Sequence, residues 1–238
     1  MVDYSPAWPH GALQPAFPDV YFVVGTNKTH HAGMDLQTSR TMVVLRDNGA
    51  LTLVNTVRLT DHGLGELEKL GQVRNVVRLG AFHGRDDPFY RDRYGATTWA
   101  LPGVQCVDGR PADRDLAPDE PFPAHEGKVF VFSTAAFPEA AVVLPREGGI
   151  LITCDAVQSW THVDPFFSRE TGESFAEQGL IGVANIPSTW RSACSPDVAD
   201  YRRLVALTFR HLISAHGEPL RNEARALLER RITEAFPE

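Results

Sequence analysis

The chain has 238 residues, enough for one large domain or two small ones with a substantial buried core. With 43% hydrophobic and 22% charged residues it is globular in composition, and a formal charge of −7 without an offsetting Lys/Arg cluster argues against a nucleic-acid partner. No apolar run approaches the ~20 residues that cross a bilayer, and no basic stretch precedes an apolar one near Met1, so neither a membrane partner nor a signal peptide is expected.

In chain order, residues 1 to about 20 are rich in Pro and aromatics and read as an extended arm. "VYFVVG" reads as a strand and the polar "TNKTHHAGMDLQTS" as a loop. "RTMVVLRDNGALTLVNTV" is a β-hairpin, two β-branched runs around an Asn-Gly turn. "DHGLGELEKLG" has leucines at helical spacing, Asp61 as N-cap and Gly71 as terminator. "VRNVVRL" is the next strand, "DPFYRDRYG" a short helix and "ATTWALPG" a strand. A long Pro/Asp-rich loop covers 103 to 127.

"KVFVFST", "AAVVLP" and "GGILITCDAV" give three more strands, the last two joined by "REGG". Residues 157 to 193 read as a loop with one short amphipathic piece. "SPDVADYRRLVALTFRHL" reads as a helix opening at Ser195-Pro196, and "EPLRNEARALLERRITEAF" as a second amphipathic helix. Strands dominate the first two thirds and alternate with helices, which implies an α/β or α+β layered class. Three widely separated cysteines, Cys106, Cys154 and Cys194, suit a reducing compartment, so a cytoplasmic protein is expected.

Three strand ends carry candidate chemistry: "FHGRDD", "AFPEAAVVLPREGGILITCDAV" ahead of Asp155, and "LISAHGEP" before the last helix. Their order resembles the metallo-β-lactamase-fold superfamily, with an incomplete HxHxDH motif. The resemblance spans roughly residues 39 to 230 and implies a single metallo-β-lactamase-like domain, a four-layer αβ/βα sandwich. His83 matches the first motif His, Arg85 stands for the second, Asp87 matches the Asp, and Pro88 replaces the last His. "AFPEA" resembles the family's "HTPGS" turn and puts Ala136 where its His belongs. "TCDA" resembles "TGDA", which makes Asp155 the bridging Asp; His216 matches the final His, and Asn55 or Thr56 stands for the early Asp.

These substitutions remove the usual pair of metals and leave room for at most one. The resemblance implies a metal-dependent hydrolase whose Zn, Fe or Mn ion is held by Asp87, Asp155 and His216, with His83 or water assisting. Asp87 would orient a metal-bound water against an ester, thioester or similar small-molecule electrophile. The alternative is a metal-free, non-catalytic relative or scaffold, in which Arg85 pairs with Asp87 or Asp155 and binds a small anionic ligand. His30-His31 and the pair His162 and Asp164 read as solvated loop residues, and Cys154 as a small buried one.

Overall fold

The structure, a computed structural model, describes residues 4–31 and 33–237. Its first sheet grows from the N-terminal arm. Strand β1 (Gln14–Phe17) pairs antiparallel with β2 (Val20–His31), which pairs with β3 (Met34–Asp47) and then β4 (Ala50–Val54). The β3–β4 turn has Asn48 at φ 49° and Gly49 at φ 80°, the left-handed pair that a two-residue hairpin requires. Helix α1 (Asp61–Leu70) then crosses to the parallel strand β5 (Gln72–Val77), and α2 (Asp87–Tyr94) to the parallel β6 (Thr97–Ala100). The two-residue β7 (Arg114–Asp115) closes the order β1-β2-β3-β4-β5-β6-β7.

The second half of the chain supplies β8 (Lys128–Val131), β9 (Ala140–Leu144) and β10 (Ile150–Thr153). After β11 (Gln158–Trp160), α3 (Arg169–Glu177), β12 (Gly182–Asn185), α4 (Ser188–Cys194) and α5 (Val198–Val205), strand β13 (His211–Ser214) joins β10 in parallel. Helix α6 (Ala224–Ala235) follows. The resulting sheet has the order β13-β10-β9-β8, and β11 pairs with β12 in a small separate ribbon.

Strand alternation explains the layering, because successive side chains leave opposite faces. Val43 and Leu45 of β3 meet Val142, Ile150, Ile152 and Ile213 in the core between the sheets. Their neighbours Met42 and Val44 point the other way, onto Leu64 and Leu67 of α1 and Tyr90 of α2. On the second sheet, Val143, Leu151 and Leu212 face Trp190, Tyr201, Leu204 and Leu228 of the C-terminal helices. Helix, sheet, sheet and helix therefore stack as the four-layer sandwich.

Several elements differ from the sequence reading. The polar stretch 26–39 is a loop in pattern yet continues β2 and β3 as a two-stranded ribbon, paired from Thr26↔Ser39 to His31↔Met34. Backbone pairing sustains it, together with Gln37, which donates to the Thr171 hydroxyl and the Phe166 carbonyl. Residues 157–193 hold two helices and two strands rather than one amphipathic piece. Helix α1 is capped by the Thr60 hydroxyl, with Asp61 in its first turn, and α5 by Asp197, whose carboxylate accepts from the Ala199 N–H at 2.7 Å. The segment read as one helix to Leu212 ends at Val205, and its apolar tail becomes β13. Of the N-terminal arm, residues 1–3 lie outside the described residues, as does the side chain of His31.

Candidate functional site

The two sheets are fastened together where the site lies. In the parallel β10–β13 pair, Thr153 stands opposite Ser214. Asp155 and His216, each two residues further on, therefore emerge at the same level. The Thr41 N–H donates to the Ala215 carbonyl at 2.7 Å and its hydroxyl to the Gly217 carbonyl at 2.6 Å, which brings Ser39 and Arg40 of β3 against His216. Asn55 reinforces the joint by donating to the Thr153 carbonyl at 3.0 Å. Gly217 has φ +88°, and a Cβ there would stand 2.1 Å from the Ser159 carbonyl oxygen, so the His-Gly pair is a steric requirement of this crossing.

Three buried side chains converge at this joint. His83 Nε2 lies 3.1 Å from an Asp155 carboxylate oxygen, His216 Nε2 lies 2.9 Å from Asp155 Oδ1, and the two Nε2 atoms are 3.2 Å apart. The His216 ring is set by Nδ1–H donation to the Ser39 carbonyl at 3.3 Å and by the Trp160 ring, centroids 4.5 Å apart. Gln158 donates to Asp155 Oδ1 at 3.3 Å. Burial pushes the Asp155 carboxyl up, but the two imidazoles outweigh it and hold it well below the usual range. Burial drives His83 down to about 4, assisted by the Arg40 charge and opposed by Asp155. His83 is thus a neutral donor, and Asp155 is ionised between the rings.

Arg40, Glu139 and Cys154 complete the surroundings. Arg40 Nη2 lies 2.7 Å from His83 Nδ1. The buried Glu139 accepts from the Ala156 N–H at 2.8 Å, and burial followed by the Asp155 charge lifts its carboxyl well above the ordinary range. The Cys154 thiol is pushed well up, first by burial and then by Asp155 and Glu139. His83, Cys154 and Asp155 each offer a ligand atom, all within 4.8 Å of one another.

Other expected residues are placed elsewhere. Asp87 is buried, but Oδ2 accepts from Arg78 Nε at 2.8 Å and Oδ1 from the Thr56 hydroxyl at 2.6 Å. Both oxygens are committed, because a buried guanidinium needs its counter-ion, and Asp87 makes no hydrogen bond to His83, Asp155 or His216. Arg78 also donates to the carbonyls of Gln105 and Gly84. Gly84 (φ +114°) has no room for a Cβ, which would overlap that guanidinium. Arg85 pairs with neither Asp87 nor Asp155. It reaches the Lys28 carbonyl at 2.6 Å and the Thr29 hydroxyl at 3.1 Å, since its backbone position directs it toward the exposed β2 ribbon. Ala136 is exposed, and the adjacent Phe137 packs on Phe82 with ring centroids 5.2 Å apart, leaving an apolar pair at this edge of the site. His30, His162 and Asp164 make local contacts only, with Asp35, Thr161 and Phe166.

The sequence reading missed Arg40, Arg78 and Glu139. Arg78 and Glu139 carried a signal, as lone charges within apolar strand patterns (VVRL, FPEAAVV). Arg40 carried none, because its polar neighbours Thr38 and Ser39 make a charge there unremarkable.

Comparison with solved structures agrees with this architecture. The chain is similar to the DIM-1 metallo-β-lactamase exposed to ceftazidime (16% identity, 98% of this chain and 100% of that chain, TM-score 0.62). It is similar also to the mono-zinc form of FIM-1 from Pseudomonas aeruginosa (16% identity, 97% and 98%, TM-score 0.60), and to VMB-1 (12% identity, 94% and 96%, TM-score 0.66). The chain has the metallo-β-lactamase fold at low sequence identity to these proteins. No family model and no curated protein sequence matches it.

The donor set can be tested for a metal on its own geometry. Zn–N and Zn–O bonds of about 2.0–2.2 Å at tetrahedral angles place neighbouring donors roughly 3.3–3.6 Å apart. The 2.9–3.2 Å triangle of His83, Asp155 and His216 matches that spacing closely enough for small side-chain shifts to complete it. His216, with Nδ1–H on a carbonyl, has the support usual for a metal-bound imidazole. The spacing of these three atoms is that of donors to one ion.

Proposed function

We infer that the protein is a metal-dependent hydrolase of metallo-β-lactamase type that works with a single divalent ion, zinc, iron or manganese. The observation that carries this reading is the convergence of His83 Nε2, Asp155 Oδ1 and His216 Nε2 within 2.9–3.2 Å at the fastened rim of the two sheets. His83, Asp155 and His216 would hold the ion, with the Cys154 thiol adjacent. A bound divalent ion supplies a Lewis acid and lowers the pKa of coordinated water. Gln158 and the Ser39 carbonyl keep Asp155 and the His216 ring aimed inward. Asp87 holds Arg78 rather than a nucleophile, so positioning falls to the groups around Asp155. The substrate is a small molecule with an ester, thioester or similar electrophile, met at an edge that Phe82 and Phe137 make apolar. The three unpaired, buried cysteines suit the reducing cytoplasm, and no helix among the described residues is long and apolar enough to cross a membrane.

One observation favours the metal-free reading. A buried guanidinium does enter the site, but it belongs to Arg40 rather than Arg85. Elemental analysis of protein purified without chelator or affinity metal separates the two, together with hydrolysis of an ester and thioester panel. One ion per chain is expected, lost along with any hydrolysis in His216→Ala and Asp155→Asn. A wild type that holds no ion after incubation with each of the three metals would sink the hydrolase reading.

A further inference from the structure

We propose that Arg40 restrains metal binding by holding His83 in the tautomer that cannot ligate. The inference rests on the single-ion reading of the same site.

A guanidinium has five N–H donors and no acceptor. Arg40 Nη2 sits 2.7 Å from His83 Nδ1, so Nδ1 must offer its lone pair, and the ring proton of the neutral imidazole stands on Nε2. That proton points at the Asp155 carboxylate, 3.1 Å away. A metal at the centre of the triangle needs the Nε2 lone pair instead. For His83 to ligate, one proton must leave Nε2 and one must enter Nδ1, and Arg40 must withdraw, because two donors would otherwise face each other. His216 shows the opposite arrangement. Its Nδ1 faces the Ser39 carbonyl, an acceptor, so Nδ1 keeps its proton and Nε2, turned toward Asp155, is the atom that can give one up and ligate. The groups behind the two rings thus have opposite polarity: an acceptor behind His216 is compatible with ligation through Nε2, and a donor behind His83 is not.

Arg40 is not locked in this contact. Its Nε is buried without a partner, and so is Asp86 Oδ1. The Arg40 charge reaches the Asp86 carboxyl and opposes the effect of burial there. An unpaired buried donor and an unpaired buried carboxylate oxygen within electrostatic reach give the guanidinium a second seat, one that would free His83 Nδ1.

The test uses two substitutions of one side chain. Glutamine offers a carbonyl that accepts a proton from Nδ1–H, whereas lysine, like arginine, only donates. Zinc is titrated by calorimetry, with a competing chelator, into metal-free wild type, Arg40→Gln and Arg40→Lys, and the ring 15N shifts of His83 are recorded in each. In metal-free wild type the His83 proton is expected on Nε2. Arg40→Gln should move it to Nδ1 and tighten zinc binding tenfold to a hundredfold, the usual size of effects from groups behind a ligand. Arg40→Lys should keep the wild-type tautomer and the weaker affinity. The gain should vanish in Arg40→Gln/His83→Ala. One zinc bound with equal affinity by wild type and Arg40→Gln would overturn the restraint and leave the single-ion site standing. A wild-type His83 proton on Nδ1 would also overturn it. Absence of zinc binding in all variants would remove both the site and the restraint.

Discussion

Two buried aspartates, one opening α2 and one just beyond β10, have come to opposite ends. Asp155 is met by two imidazoles and an amide, groups that can exchange a proton or give way to a metal. Asp87 is met by the Arg78 guanidinium and a threonine hydroxyl, in an ion pair whose side chains are 2% and 5% exposed. Both carboxylates are buried, yet only the first has partners of adjustable charge. Neutral and titratable partners leave Asp155 open to exchange, whereas the permanent Arg78 cation ties Asp87 into the framework.

The largest test of this contrast is Arg78→Met. It leaves Asp87 buried without a counter-charge, which typically costs ~3–5 kcal/mol. Chemical denaturation should show that loss equally with and without chelator, because the pair serves the fold and not an ion. A variant within 1 kcal/mol of wild type, a bound set here as roughly the value of a solvent-exposed pair, would mean that Asp87 is free to act in the site.

Acid sharpens the other side of the comparison. Burial holds His83 in the folded protein at about 4, below its ordinary 6.5. Between those values the unfolded chain takes up a proton that the folded one refuses, so stability rises with pH. It is full above 6.5 and falls by about 1.4 kcal/mol per pH unit on acidification, roughly 3 kcal/mol in all by pH 4. Glu139 acts in the opposite sense above pH 4.5, because its folded carboxyl keeps a proton that the unfolded one releases. The measurement is the difference between metal-free wild type and His83→Gln from pH 6.5 to 4, in which the Glu139 contribution cancels. The wild type should lose the more. Parallel curves would show that His83 is solvated and the triangle open.

The fold was legible where sequence pattern and physics coincide. The β-branched runs around Asn48-Gly49 admit one turn, and Asp155 and His216 could be read as a pair because each follows its strand by two residues in the β10–β13 register. The ribbon at 26–39 was hidden because both of its faces are polar. Strand β13 was hidden because "HLIS" continues the apolar spacing of α5, and a short apolar run does not declare its period. In the site, Asp87 and Arg85 have hydrogen-bond partners that the sequence did not point to, for one reason. Charge partners are chosen in three dimensions, and the guanidiniums that reached His83 and Asp87 come from Arg40 and Arg78, 43 and 9 residues away from them in the chain.

The smallest expected effect falls on the residue the sequence made most prominent. The sequence resemblance set Arg85 in place of a metal-binding histidine, and a buried counter-charge there would cost several kcal/mol to remove. Its guanidinium instead touches the Lys28 carbonyl and the Thr29 hydroxyl on the exposed ribbon. Contacts of that kind at a surface are worth roughly 0.5 kcal/mol or less when truncated. Arg85→Ala should therefore melt close to wild type, with unchanged zinc affinity and an unchanged response to chelator. A loss approaching that of Arg78→Met would mean that Arg85 turns inward in solution and supplies the charge now assigned to Arg40. A zinc affinity altered without loss of stability would place the ribbon over the metal site as part of its binding surface.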